Sequence, residues 1–221
     1  MKTALLLGGF MCMFVASYSQ MRFAVNTGGT LPYMKTKYLG VKEHSLGTSF
    51  RFSAGVLADI PLGKVISLMP TLNFTQKGSN TRYDYSGYNV EGKRTLNYAE
   101  FILNVPVNAI VGNSRVFGGA GPAISYGFGG KYKNSTNYGG LPGVVQGDIK
   151  FGNDRNKDDF KPFDAGINLL GGYEFGIGLF MAVNYYWGIT NITIDGDSER
   201  TAKNSYLGFR LGYYFSKFKN K

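Results

Sequence analysis

At 221 residues, with 43% of them hydrophobic and 15% aromatic, the chain suits one domain. A formal net charge of +10 invites anionic partners. The basic residues are scattered through polar stretches rather than gathered on one helix, which argues against nucleic acid and leaves lipid headgroups or plain solvation as the use of the charge.

Residues 1–19 read as a signal peptide. Lys2 gives the positive start, Ala4 to Ala16 is a short apolar core, and Ser17 and Ser19 occupy the small-residue positions before a cut ahead of Gln20. The apolar run is too short to span a bilayer as a helix. Cys12 is the single cysteine, and Gly9-Phe10-Met11 before it lacks the small-residue context of a lipidation site. Its removal with the peptide excludes disulfides, thiolate nucleophiles and thiolate metal sites from the mature chain.

From there on the pattern has a period of two, the mark of strands with two unlike faces. The first strand, about 21–29, sets Phe23 and Val25 against Ala24 and Asn26. In 50–62, Phe52, Ala54, Val56, Ala58, Ile60 and Leu62 oppose Arg51, Ser53, Gly55 and Asp59. In 65–77, Ile66, Leu68, Leu72 and Phe74 oppose Ser67, Thr71, Asn73 and Thr75. The clearest is 95–111, with Ala99, Phe101, Leu103, Val105, Val107, Ala109 and Val111 against Tyr98, Glu100, Ile102, Asn104, Pro106 and Asn108. Segments 115–129, 163–175, 178–190 and 203–215 repeat the rule, for example Ile124, Tyr126 and Phe128 against Ser125 and Gly127. Short turns at Gly63-Lys64, Gly112-Asn113-Ser114 and Gly176-Ile177-Gly178 alternate with long polar connections at about 30–49, 78–94, 130–160 and 191–203. Eight strands joined in this way predict an all-β, antiparallel, up-and-down transmembrane barrel over 20–216, followed by a basic tail at 217–221.

Two features favour lipid over water. The Gly, Ser and Asn set is too small and polar to form a hydrophobic core, whereas the Leu, Val and Phe set is too extensive to leave in water. The aromatics also segregate along the apolar face. Phe52, Phe74, Phe101, Tyr126, Phe128, Phe163, Tyr185 and Trp187 lie at the long-loop ends, and Phe23, Tyr173, Phe175, Tyr213 and Phe215 at the short-turn ends. Two such girdles around an aliphatic band match the two interfaces of a bilayer. The sheet must then close, because an open edge in hydrocarbon leaves backbone groups unpaired.

Several segments resemble the outer-membrane β-barrel domain family of Bacteroidota, the porin-like or PorT-like group. They are Phe52 to Leu62, Leu72 to Gly78, Leu96 to Glu100, Gly119-Ala120-Gly121-Pro122, Gly171 to Phe175 and Tyr185 to Ile192. The resemblance spans the mature chain and implies location and fold but no defined activity. Thr71 departs from it where a glutamate is expected, and so does the tail Ser216 to Lys221.

Chemistry is sparse. Arg51, Asp59, Glu100, Arg115, Asp164, Glu174 and Arg210 fall on the inward set and are expected to form a charge network in a lumen that eight strands leave just wide enough for side chains. Glu43-His44-Ser45 offers an acid, a base and a hydroxyl, yet triads are assembled in space rather than in sequence. Asp154, Asp158 and Asp159 lack a calcium-loop spacing, and no helix follows Gly118 to Gly121 to make a phosphate site. Asn191-Ile192-Thr193 fits a glycosylation sequon, which has no role expected here. No catalytic residue, metal or cofactor is expected. The expected partners are outer-membrane lipid and lipopolysaccharide and the outer-membrane insertion machinery, without nucleic acid. The leading reading is a non-enzymatic structural or interaction protein of the Gram-negative outer membrane with long loops outside. A narrow pore or secretion-associated barrel is the alternative, and a lipid-modifying enzyme comes third.

Overall fold

A computed structural model describes residues 21–38, 41–44, 49–85, 88–138 and 141–216. Residues 1–19, read above as a signal peptide and including Cys12, and the tail 217–221 lie outside the described residues. The strands are β1 (Arg22–Tyr38), β2 (Val41–His44), β3 (Arg51–Pro61), β4 (Ser67–Tyr85), β5 (Tyr88–Val111), β6 (Ser114–Tyr138), β7 (Leu141–Ile149), β8 (Phe163–Glu174), β9 (Leu179–Gly188) and β10 (Arg200–Tyr214). Eight of them, β1, β3, β4, β5, β6, β8, β9 and β10, pair antiparallel in that order, and β10 returns to β1 through the register Ala24↔Tyr214 to Tyr38↔Arg200. The ring is closed, so its wall leaves no backbone edge toward lipid. The two remaining strands are accessory: β2 pairs only with the end of β1, and β7 only with the end of β6.

Around the middle of the wall the outward positions are apolar and the inward ones polar. Val56, Leu72, Val105, Val116, Leu169, Val183 and Leu211 are all exposed, while Asn26, Asn73, Asn104, Asn168 and Asn184 are buried. Such a surface is intolerable in water and ordinary in a bilayer. Aromatic rings touch around each rim: Phe52 with Phe74, Phe74 with Phe128 and Tyr126 with Phe163 at one, Tyr173 with Phe175 and Tyr213 with Phe215 at the other. Phe101 sits one step below the upper ring, across from Leu72 and Ile124 in the aliphatic band. The short turns gather at one rim, where Gly112 and Gly178 take the left-handed backbone that a side chain resists.

Besides the place of Phe101, which the sequence reading put in the upper girdle, three features differ from that reading. First, β1 runs to Tyr38, well past residue 29, and the first three long connections are largely strand, whereas the fourth is strand only from Arg200. β4 and β5 stay paired out to Tyr85↔Tyr88, and β5 with β6 out to Tyr88↔Tyr138. Beyond the bilayer both faces of a ribbon meet water, so alternation fades, while residues such as Thr81, Val90, Tyr132 and Thr136 retain their strand preference. Second, the third connection does not simply project. Phe151 and Phe160 fold inward with Ile149, against Tyr98, Leu96, Met34, Ile192 and Ala202. This lid is held by Lys161 N–H to Ile192 O (2.8 Å) and Gly127 N–H to Pro162 O (2.8 Å). Gly127 is required there, because a Cβ on it would come within 2.5 Å of the Phe151 ring. Third, the lumen is not purely polar. Phe117, Phe180, Leu57, Met69 and Ala182 form an apolar layer inside the turn end of the barrel, and Ile102 and Ala123 pack with Tyr186 and Tyr206 higher up. The rings fit because glycines face them: Gly172 lies under Phe117 and Gly212 under Phe180.

Candidate functional site

Inward side chains of successive strand positions stack into layers along the barrel axis. At the short-turn end Arg22 and Arg115 meet Asp59 and Glu174. Arg22 Nη2 lies 2.6 Å from Asp59 Oδ2 and its Nη1 2.5 Å from Glu174 Oε1. Arg115 Nη1 lies 2.7 Å from the same Asp59 oxygen, and Arg115 Nη2 is 2.8 Å from Glu174 Oε2. Two cations and two anions thus neutralise one another, with each carboxylate touched by both guanidinium forks. The Tyr214 ring closes the layer, with the Arg22 guanidinium 4.1 Å from its centroid.

Above the apolar layer runs a belt of amides. Asn168 donates to Asn104 (3.0 Å), Asn184 to Asn168 (2.8 Å), Arg210 Nε to Asn184 (3.0 Å), Arg210 Nη1 to Asn26 (3.4 Å) and Asn26 to Asn73 (3.3 Å). Asn26, Asn168 and Asn184 each donate one way and accept the other, while Asn73 and Asn104 end the chain as acceptors, so a row of asparagines crosses the lumen. Arg210 Nη2 has no partner among the described residues. Arg210 and Thr71 border a cavity of about 20 Å³, room for about one water.

The third layer centres on Lys77. Its ammonium is 3.0 Å from Glu100 Oε1, 3.1 Å from Asp164 Oδ2 and 2.9 Å from Ser125 Oγ, all with no solvent exposure at the lysine. Three tyrosines cage it, with ring centroids at 3.7 Å (Tyr186), 4.8 Å (Tyr98) and 5.7 Å (Tyr206). Tyr206 donates to Glu100 (2.6 Å), Tyr186 to Asp164 (2.9 Å), and Asn204 to Asp164 (2.9 Å). A buried ammonium takes three donors' worth of partners and the faces of the rings add attraction.

All seven charged residues singled out from the sequence are buried, but they are not one network. Asp59, Arg115 and Glu174 belong to the lower layer, Glu100 and Asp164 to the upper one, and Arg210 to the amide belt between. Arg51 stands apart near the mouth, donating to Asn80 (3.1 Å), which itself donates to Ser49. The partner of Glu100 is Lys77, not Arg115 or Arg210. Lys77 and Arg22 were both missed. Lys77 shares the parity of Thr71, Asn73 and Thr75, so alternation alone places it inside. Arg22 shares the parity of Ala24 and Asn26 but stands almost at the expected cut.

The other chemical candidates dissolve into structure. Asp158 accepts from the Asp154 N–H (2.9 Å) and Asp159 from the Lys150 N–H (2.8 Å), so these acids tie the lid's own loop. Among the described residues no group of His, Cys, Asp and Glu could hold a metal. Asn191 accepts from Thr193 and Ala202 and donates to the Arg200 carbonyl, stapling the β9–β10 connection. The side chains of Glu43 and His44, and all of Ser45, lie outside the described residues.

A closed eight-stranded antiparallel ring, apolar outside between two aromatic girdles and filled with paired charges, defines an integral outer-membrane β-barrel. Residues 16–193 match the family described as outer membrane protein beta-barrel domain, and the chain belongs to that family. Its place is therefore the outer membrane of a Gram-negative cell. Among solved structures it is similar to Neisserial surface protein A (12% identity, covering 89% of this chain and 97% of that one, TM-score 0.41). It is also similar to Ail, the attachment invasion locus protein of Yersinia pestis (11% identity, 89% and 99% covered, TM-score 0.39). No curated protein sequence matches it.

Proposed function

We propose that the protein is a closed, non-enzymatic barrel that holds two rigid β-ribbons above the outer membrane for contact with other molecules, and that it conducts no ions. The filling of the lumen carries this reading: three polar layers bonded across the barrel, an apolar layer between two of them, and a lid of Phe151 and Phe160 over the mouth. An ion would have to displace Lys77 from two carboxylates and three rings to pass. The interaction role is supported by β7, which pairs only with β6 and exposes Leu141, Val144 and Val145, an apolar sheet edge of the kind that takes up another strand. The protein belongs on this reading to the Bacteroidota, PorT-like branch and is exported by a signal peptide removed before Gln20. In planar bilayers the purified protein is expected to give no sustained current. Steady, reproducible openings would replace this reading with that of a narrow pore.

A further inference from the structure

The outward face of the ribbons carries a repeated oddity. Lys93 of β5 stands directly opposite Lys133 of β6, and on the far side of the barrel Lys35 of β1 stands directly opposite Lys203 of β10. Like charges placed opposite one another across a strand pair destabilise it. Elsewhere on these ribbons bases meet acids, as in Arg82–Glu91 (3.5 Å) and Lys37–Glu199 (3.0 Å). Neither pair has an acid opposite it: the remaining cross-strand neighbours of Lys93 and Lys133 are Asn80 and Gln146, that of Lys35 is His44, and Lys35 Nζ otherwise lies 5.8 Å from the centroid of the Tyr33 ring. Among the described residues none of the four lysines forms an ion pair.

Position narrows what the pairs are for. Lys35 lies two residues beyond Tyr33, whose hydroxyl meets that of Tyr185 in the upper girdle. Lys133 lies five residues beyond Phe128 of the same girdle. At about 3.3 Å per residue along tilted strands, both pairs stand roughly 5–12 Å above the aromatic ring, where a bilayer has its headgroups. They point away from the barrel axis, as the girdle residues do, so a ligand must come from the membrane plane and not from above the ribbon tips. Opposed residues have Cβ atoms about 5 Å apart, a span over which two ammonium groups can close on one phosphate.

We propose that Lys93–Lys133 and Lys35–Lys203 are two binding sites for the phosphate groups of outer-leaflet lipid headgroups, one on each side of the barrel. This rests on the barrel standing in the outer membrane with its girdle at the hydrocarbon boundary. The bound phosphate supplies the missing counter-charge and locks each ribbon to the surface from which it rises.

The test is native mass spectrometry of the full protein released from neutral-detergent micelles doped with bis-phosphorylated lipid A. The wild type is expected to carry two lipid A molecules, and K93Q/K133Q and K35Q/K203Q one each. The quadruple variant should lose occupancy at least tenfold, and arginine at all four positions should restore it. A heat-dependent gel shift checks that every variant is a folded barrel; should the quadruple variant lose it, the two double variants decide. The proposal is overturned if the folded lysine-to-glutamine variants keep wild-type occupancy or if dephosphorylated lipid A binds equally well. It is also overturned if inorganic polyphosphate binds in lipid-free micelles with the same lysine dependence, which would mark the sites as serving a soluble polyanion. Failure of the membrane placement itself would show differently, as a protein that stays dispersed without detergent.

Discussion

The lower and upper ion clusters of the lumen solve one problem in two ways. Below, two arginines and two carboxylates interlock so that every charge keeps a partner if one is lost. Above, a single lysine serves both Glu100 and Asp164, and three tyrosines supply what further charges would have. The first arrangement is redundant and the second hangs on one side chain. Guanidinium suits the lower layer because its planar fork binds two carboxylates at once; ammonium suits the upper because a compact point charge fits between rings.

That contrast sets the order of expected damage. Lys77→Met leaves two carboxylates buried without a cation, and breaking even one buried pair typically costs about 3–5 kcal/mol. The variant should show the largest fall in urea midpoint, and Lys77→Arg should not rescue it fully, since the cage fits a smaller head. Leu103→Arg comes next. Leu103 lies on the outer face at the height of the amide belt, and an arginine facing the bilayer midplane costs about 2–4 kcal/mol. Asn104→Ser beside it should cost far less. Glu174→Gln is expected to cost least of the charge changes, about 1.5–3 kcal/mol for lost charged hydrogen bonds, because Arg22 and Arg115 both retain Asp59. If Glu174→Gln unfolds the barrel as readily as Lys77→Met, the lower layer is not redundant.

How much of this could be read in advance depended on whether a residue's surroundings impose a period. Inside the bilayer every side chain must choose lipid or lumen, so Ala99 to Val111 declare their facing two by two, and the ring follows from counting such segments. The buried charges were legible on the same ground, and Lys77 would have been had parity been applied to it. The pairing was not legible, because parity says that a cation faces inward but not at what height, and only the register of β4 against β5 and β6 brings Lys77 to Glu100. The lid was hidden for another reason. Phe151 and Phe160 lie in an irregular stretch of Asp, Asn, Lys and Gly, where nothing local says that two rings turn into the mouth. The ribbons escaped because strands with water on both faces need no alternation. The lysine pairs, in turn, become visible only once register is known.

Everything above requires that the apolar face meets lipid, with the girdles at its two borders. Trp187 is the sole tryptophan, and it lies exposed on that face in the upper girdle. Its fluorescence in liposomes containing brominated phospholipids reads out the claim without any mutation. Bromine placed high on the acyl chains should quench it most strongly, bromine deep in the bilayer less, and water-borne acrylamide hardly at all. Quenching by acrylamide alone, with no response to bromine at any depth, would put the tryptophan in water and contradict the membrane facing of the entire wall.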